Sequence, residues 1–204
     1  IVVASGNTGI NLKDFSPAGF PGVITVAATG VKRQRAKFSN WGAAVDLAAP
    51  GVDILSTRAR QTDLLIMERK DYEPKLAIVA KDYYRVTGSS FSAPFVAGVA
   101  SLLLSIKPEL TAAQVMRILA HSARDIDVPG WDQFTGFGLL DAAAALKAAP
   151  NFYVSARISG LTGVEIDGRT HIRVKGTAAA DQLAQAWVEI GKGAKPNSWR
   201  RVSP

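Results

Sequence analysis

The sequence of 204 residues contains no cysteine, which excludes disulfide bonds, thiolate metal sites and a cysteine nucleophile. Long apolar runs are also missing. The most apolar stretch, residues 98–106, stops at Lys107-Pro108 and is much shorter than the roughly 20 residues of a membrane-spanning helix. We therefore expect no membrane span. Apolar residues make up 48% of the chain and charged residues 20%, which is typical of a globular protein.

The chain also lacks a concentrated block of charge. It has 24 Lys and Arg against 17 Asp and Glu, a formal net charge of +7. The densest basic cluster, residues 32–37, is not repeated along the chain. A nucleic-acid-binding face needs such clusters repeated, with aromatic side chains between them, so we expect no nucleic-acid partner.

Residues 1–149 show the texture of an α/β domain. Short apolar runs at 1–4, 23–28, 45–49 and 52–55 predict strands, with a sharp turn at Pro50-Gly51. The first run begins without Met and without the basic segment of a signal peptide, so we expect the chain to be a piece of a longer one. Three helices are predicted: an apolar core helix over 91–106, one from N-cap Thr111 with Gln114 to about 123, and one from Asp141 to 149.

After Pro150 the pattern changes to an all-β segment. Runs at 152–154, 171–174 and 186–190 predict strands. We expect turns between them at Gly160, Gly163, Asp167-Gly168, Gly191 and Gly193. Residues 150–204 therefore form a partial, sandwich-like β module, which looks too short to close a complete sandwich.

The strongest local signal is residues 87–94 (TGSSFSAP), immediately before the core helix. A serine at a helix N-terminus lies beside free N–H groups and the positive end of the helix dipole, which favours a nucleophile and can stabilise an oxyanion. By itself, the motif is better explained as a plain N-cap serine. The elbow motif of the α/β-hydrolases is excluded because Ser92 stands where that motif needs glycine.

Asn7 gives the second signal, at the end of the first predicted strand. An amide at the carboxyl end of a parallel strand faces the crevice where α/β folds bind ligands, and its NH₂ group can donate to a developing oxyanion. Asparagine next to glycine is also common in simple turns, and alone that interpretation is favoured.

Taken together and in order, these motifs resemble the subtilisin-like serine proteases (subtilases, peptidase family S8). The resemblance covers about 150 residues, far more than any one short motif can carry. It rests on six landmarks: residues 2–7 (VVASGN), 20–28 (FPGVITVAA), 38–42 (FSNWG), 45–51 (VDLAAPG), 88–98 (GSSFSAPFVAG) and 137–142 (FGLLDA).

The resemblance implies the C-terminal part of a subtilisin-like three-layer α/β fold with a mainly parallel sheet. It implies a serine endopeptidase in which Ser90 is the nucleophile, and Asn7 and the Ser90 backbone N–H form the oxyanion hole. Substrate-binding positions implied by the match are Ala4, Ser5, Gly6, Gly88 and Ser89, with Ser89 standing where the family usually has threonine.

The same resemblance implies protein or peptide substrates and secretion from a bacterium. Calcium is frequent in the family, but no segment here resembles a site, so we assign no metal ligand and expect no evident cofactor. Modules like residues 150–204 suggest cell-wall or substrate association by analogy with other subtilases.

The general base is the main departure from the family pattern. Subtilases take their Asp and His from motifs upstream of the oxyanion asparagine, and the two histidines here, His121 and His171, stand in other contexts. We therefore expect the N-terminal half of the catalytic domain to be missing and the fragment to be inactive alone. The alternatives are a catalytically inactive subtilase-like protein or a binding or regulatory protein.

The segment before Gly88 is longer than in compact subtilases, and the extra residues are roughly 58–81. The apolar runs 64–67 and 76–79 can pair as a hairpin across 73–75, which would place this insertion at the rim of the cleft. A surface insertion without a role explains it equally well, because long insertions cost little stability.

Overall fold

The structure, a computed structural model, describes residues 1–59, 77–148, 154–180, 185–193 and 197–202. The chain divides into two compact units, Ile1–Ala148 and Ala149–Pro204. This division differs by one residue from the boundary expected from the sequence.

A three-stranded parallel sheet organises the first unit. Its strands are β1 (Val2–Ala4), β2 (Ile24–Thr29) and β3 (Leu47–Pro50), in that spatial order. Both faces are covered, as in other parallel sheets, because successive side chains alternate between two clusters. Val26 and Leu47 belong to a core shared with the helices, whereas their neighbours Ala27 and Ala48 pack on the opposite face against Leu12. The predicted strands are confirmed to within two residues.

In the described part of the chain, three α-helices follow the sheet. They are α1 (Ala93–Ile106), α2 (Ala112–Ser122) and α3 (Ala142–Lys147). Thr111 forms the expected capping box with Gln114, and the Asp141 carboxylate accepts a hydrogen bond from the backbone N–H of Ala144. The α/β fold expected for the first unit is present, with the helices packed on the sheet.

Helix α1 is apolar all round but is buried along one face only, through Val96, Val99 and Leu103. The expectation that it runs through the core is therefore only half right. Large side chains are exposed on it in the structure: Phe95, Leu102, Leu104 and Ile106.

The expectation of no membrane span stays a prediction. Among the described residues, the 18-residue stretch Ser89–Ile106, which consists of a 3-10 turn followed by α1, has a mean hydropathy of 1.6 and is long and apolar enough to cross a membrane by these two measures alone. Most of this stretch is the apolar helix that the sequence predicts over 91–106. It is weak evidence for a span, since core helices satisfy the same measures.

A small antiparallel sheet leads into the predicted nucleophile segment. Its strands β4 (Ile54–Thr57), β5 (Ile78–Val79) and β6 (Tyr83–Val86) lie in the order β4-β6-β5. The pairing expected between 64–67 and 76–79 lies largely outside the described residues, and so does the turn at 73–75. In the described part, Ile78 and Val79 pair with β6.

The second unit is all-β in its described residues, as expected. Strands β7 (Val154–Ile166) and β8 (Arg169–Ala180) form a long hairpin, and β9 (Val188–Gly191) pairs with β10 (Trp199–Val202). The turn at Asp167-Gly168 is confirmed, with both residues at positive φ. The turns expected at Gly160 and Gly163 are wrong, because both glycines lie inside β7, the first at an irregularity in register.

Candidate active site

Ser90 is the middle residue of a 3-10 turn, Ser89–Phe91, that leads into α1. The turn is anchored at its start, where the backbone N–H of Gly88 donates to the carbonyl of Gly51 over 2.8 Å. Pro94 lies in the first turn of the helix, where its missing N–H costs no helical hydrogen bond. The turn therefore holds the Ser90 side chain at the N-terminal end of an apolar helix.

The three serines of this segment have different environments. Ser89 and Ser92 are fully buried, whereas Ser90 is exposed. The Ser92 hydroxyl donates to the carbonyl of Pro50 over 3.1 Å, and the Ser89 hydroxyl accepts from the N–H of Gly6 over 3.0 Å. Within the described part of the chain, neither the hydroxyl nor the N–H of Ser90 has a hydrogen-bond partner. Ser90 alone among the three can reach a substrate with its oxygen.

The Asn7 side chain is held in one orientation by Ser89. Its Oδ1 accepts from the Ser89 backbone N–H over 2.8 Å and from the Ser89 hydroxyl over 2.9 Å. A backbone N–H can only donate, so the Asn7 atom that it contacts must be the oxygen, and Nδ2 lies on the other branch of the amide. The 3-10 turn Ser89–Phe91 carries the predicted nucleophile and is called the nucleophile turn below. The NH₂ group of Asn7 lies close to the start of this turn, 3.3 Å from the position that a Cβ on Gly88 would occupy.

Gly6 sets the backbone of the same loop. Its φ of 96° lies in the region that favours glycine, and a Cβ there would lie 2.5 Å from Nδ2 of Asn40 and 3.0 Å from the Phe15 ring. Its N–H donates to Ser89 and its carbonyl accepts from the backbone N–H of Asn40 over 3.0 Å. The loop that carries Asn7 is thus attached to the nucleophile turn on one side and to the 38–42 segment on the other.

The structure brings the predicted catalytic and substrate-binding residues together around this loop. Ala4 ends β1, and the Ser5 hydroxyl is buried against that of Ser39 at 3.0 Å. Because the side chains of Ser5 and Ser89 are occupied internally, these two positions can meet a substrate only through backbone atoms. Their substrate-binding role stays a prediction.

Two residues that pack beside the site were given no role in it from the sequence. Gly51 allows the close approach of three segments, since a Cβ there would lie 2.3 Å from Ser92 Oγ and 2.6 Å from the Ala28 Cβ. Asn40 is a fully buried polar residue beside the Asn7 loop. The sequence signal for it is an asparagine inside the landmark 38–42, and its burial is visible only in the structure.

Both histidines lie on regular elements. His121 lies on α2 against the ring of Phe137, and burial together with the charge of Arg117 lowers its pKa. His171 lies in β8 of the second unit. Among the described residues, no group of three or more His, Asp or Glu side chains could hold a metal ion. The expectation that no cofactor is evident stays a prediction.

Comparison with known proteins finds a matching family model and several similar proteins. The model of the subtilase family matches residues 1–138. Fervidolysin of Fervidobacterium pennivorans is 37% identical over 150 residues, which are 72% of this chain and 21% of that protein. Subtilisin DY of Bacillus licheniformis is 32% identical over 150 residues, 72% of this chain and 46% of that protein. An extracellular protease of Xanthomonas campestris is 37% identical over 153 residues, 74% and 24% of the two chains.

Comparison with solved structures also finds proteases. A lanthipeptide protease superposes with a TM-score of 0.59 at 26% identity, over 72% of this chain and 50% of that one. A protease of Pseudoalteromonas arctica gives 0.57 at 32% identity, over 71% and 41%. The chain thus spans between about a fifth and a half of the length of these relatives. Since the matched family model covers both the Asn7 loop and the Ser90 turn, the chain belongs to the subtilase family.

Proposed function

We propose that this chain is the nucleophile-bearing part of a serine endopeptidase that acts by a Ser-His-Asp mechanism. The proposal rests on the different environments of Ser89 and Ser90 within one turn. Ser90 is exposed with a free hydroxyl, while Ser89 next to it fixes the oxygen of the Asn7 amide and leaves the NH₂ group for another acceptor. Membership of the subtilase family supports the same assignment.

In this mechanism the Ser90 oxygen attacks the carbonyl carbon of the scissile peptide bond and its proton passes to a histidine. The carbonyl oxygen becomes an oxyanion, which accepts hydrogen bonds from Asn7 Nδ2 and from the Ser90 backbone N–H. Collapse of the intermediate expels the amine with the proton from the histidine and leaves an acyl group on Ser90. Water then attacks the acyl carbon and gives a proton to the histidine. The histidine passes that proton to the Ser90 oxygen as the carboxylic acid product leaves.

We expect the base to come from outside residues 1–204, because the subtilase pattern takes its histidine from a motif upstream of the oxyanion asparagine, and neither His121 nor His171 stands in such a motif. We use the name full-length protease for the longer polypeptide that contains residues 1–204 together with that histidine. Without a base the Ser90 hydroxyl is a weak nucleophile near neutral pH. Residues 1–204 alone are accordingly expected to show no peptide cleavage that depends on Ser90.

The substrates of the full-length protease are proteins and peptides, and its site of action is outside the bacterial cell. Support for the location comes from relatives that are named extracellular proteases. An extended peptide can lie beside the backbone of residues 4–6 as an added strand, since β1 ends there.

The test is labelling of the full-length protease with a fluorophosphonate, followed by mapping of the adduct. The adduct is expected on Ser90, and Ser90→Ala should abolish both labelling and peptide cleavage. Ser101→Ala is a matched control on the exposed side of α1 and should keep both. An adduct on Ser89 or Ser92 would contradict the assignment. Folded protein that takes up no label would favour the inactive or binding alternative.

A further inference from the structure

Asn40 is a buried residue that contacts the loop of the proposed oxyanion donor without contacting the donor itself. It lies in the 38–42 segment, which runs beside residues 9–12 through backbone hydrogen bonds such as Trp41 N–H to the carbonyl of Ile10, 3.0 Å. Its side chain has no exposed surface. A polar side chain in such a place is expected to have a specific set of partners.

The partners of Asn40 lie on both sides of Asn7. The backbone N–H of Asn40 donates to the carbonyl of Gly6 over 3.0 Å. Its Oδ1 accepts from the N–H and the hydroxyl of Thr8, each over 3.0 Å, and from the N–H of Ile10 over 3.1 Å. One residue therefore ties down the peptide units before and after Asn7, and so restricts the direction in which the Asn7 side chain leaves the backbone.

Only the oxygen of the Asn40 amide is used. Two of its donors are backbone N–H groups, which identifies the accepting atom as oxygen. The Nδ2 atom is buried and has no hydrogen-bond partner within the described residues. An unsatisfied buried donor costs stability, so the contribution of Asn40 is expected to lie in the three bonds to its oxygen.

We propose that Asn40 is a positioning residue for the oxyanion donor Asn7. The inference rests on the proposed endopeptidase function, because Asn7 acts on a charge that exists only during the reaction. It adds a specific requirement: the Asn40 oxygen must be present for Asn7 Nδ2 to stand where the oxyanion forms. An error of a few tenths of an ångström in the loop then lowers turnover and leaves ground-state binding of the substrate nearly unchanged.

The experiment compares kcat and KM of variants of the full-length protease. Asn40→Ala removes the acceptor, and kcat should fall about tenfold or more with KM nearly unchanged, since a buried network is lost. Asn40→Asp keeps the accepting oxygen and replaces only the unpartnered nitrogen. It should stay within about threefold of the parent kcat, because a carboxylate accepts two or three N–H bonds readily. Asn11→Ala, which removes a single acceptor for Lys13 N–H further along the same loop, is the matched control and should leave kcat unchanged.

A double-mutant cycle with Asn7→Ala separates positioning from general support of the fold. If Asn40 acts through Asn7, then Asn40→Ala should lower kcat less than about twofold once Asn7 is already alanine. Thr8→Val removes only one of the three bonds and provides the same cycle should Asn40→Ala fail to fold. An equal loss of kcat with and without Asn7, or a full kcat in Asn40→Ala, would overturn the inference. The proposed function fails separately, when the parent protein takes no fluorophosphonate label on Ser90.

Discussion

Ser89 donates twice to a single atom, with its backbone N–H and its hydroxyl both directed at Oδ1 of Asn7 over 2.8 and 2.9 Å. The same hydroxyl accepts from the N–H of Gly6 over 3.0 Å. The residue before the proposed nucleophile is thus the direct connection between the nucleophile turn and the proposed oxyanion donor. Because these bonds saturate the oxygen of the amide, they leave its NH₂ group as the part that can act on a substrate.

Replacement of Ser89 by alanine should misalign Asn7. The change removes one donor to Asn7 and leaves the Gly6 N–H without its acceptor, while the backbone bond from residue 89 remains. We expect kcat of the full-length protease to fall about three- to tenfold, the size of one net hydrogen bond, with KM nearly constant. Ser89→Thr keeps the hydroxyl and should retain kcat. Ser122→Ala, at the end of α2, is a remote control of the same chemistry. A rise in KM alone would show that Ser89 acts on substrate binding instead.

Replacement of Asn7 tests the donor directly. Asn7→Ala should lower kcat about 100- to 1,000-fold with little change in KM, the cost found for losing such a donor in a subtilisin. Asn7→Asp is the sharper variant, since it keeps the oxygen that accepts from Ser89 and replaces the donor by a second oxygen. It should be at least as inactive as alanine. Steady-state kinetics on a chromogenic peptide measures both, and an active Asn7→Asp would mean that the residue serves only to hold the loop.

The features that the sequence predicts well are local ones. The capping box joins Thr111 and Gln114, three residues apart, and the nucleophile turn is a continuous segment before α1. Short-range chemistry of this kind is visible in the order of residues. The family resemblance predicts the roles of Asn7 and Ser90, which neither motif indicates by itself.

The features that could not be predicted depend on contacts between distant segments. Ser89 meets Asn7 across 82 positions and Asn40 meets Thr8 across 32, so neither pairing has a signature in the local sequence. Similarly, the sequence predicts a turn at Gly160 because glycine is common in both turns and strand irregularities, and only the pairing with β8 distinguishes the two. The partial burial of α1 has the same origin: composition shows that a helix is apolar, but packing decides which face is covered.

Gly51 should tolerate no side chain. A Cβ there would lie 2.3 Å from Ser92 Oγ and 3.0 Å from the carbonyl oxygen of Gly88, so Gly51→Ala must displace the nucleophile turn. We expect a loss of roughly 1–3 kcal/mol in the free energy of unfolding, as for other overpacked sites, together with a lower kcat. Gly98→Ala is the matched control on α1, where nothing lies within 4 Å of the new methyl group, and it should stabilise the protein by about 0.5–1 kcal/mol. Urea denaturation measures both changes, and an unchanged midpoint for Gly51→Ala would contradict the packing argument.

Asp46 should make stability depend on pH. Burial raises the pKa of its carboxyl group from 3.8 to about 6, although the hydrogen bond from Thr25 N–H, 2.7 Å, acts in the opposite direction. Because the folded state holds the proton more tightly than the unfolded state, stability is greatest below pH 4 for this group and is lost as pH rises towards about 6. Asp46→Asn keeps an oxygen for Thr25 and removes the charge. Its unfolding free energy should equal that of the parent near pH 4 and exceed it by about 1–3 kcal/mol at pH 7. Urea denaturation at a series of pH values tests this, with Asp53→Asn, in an exposed ion pair with Arg85, as the control that should show no such gain. A gain that is equal at pH 4 and pH 7 would show that desolvation of the carboxylate is not its source.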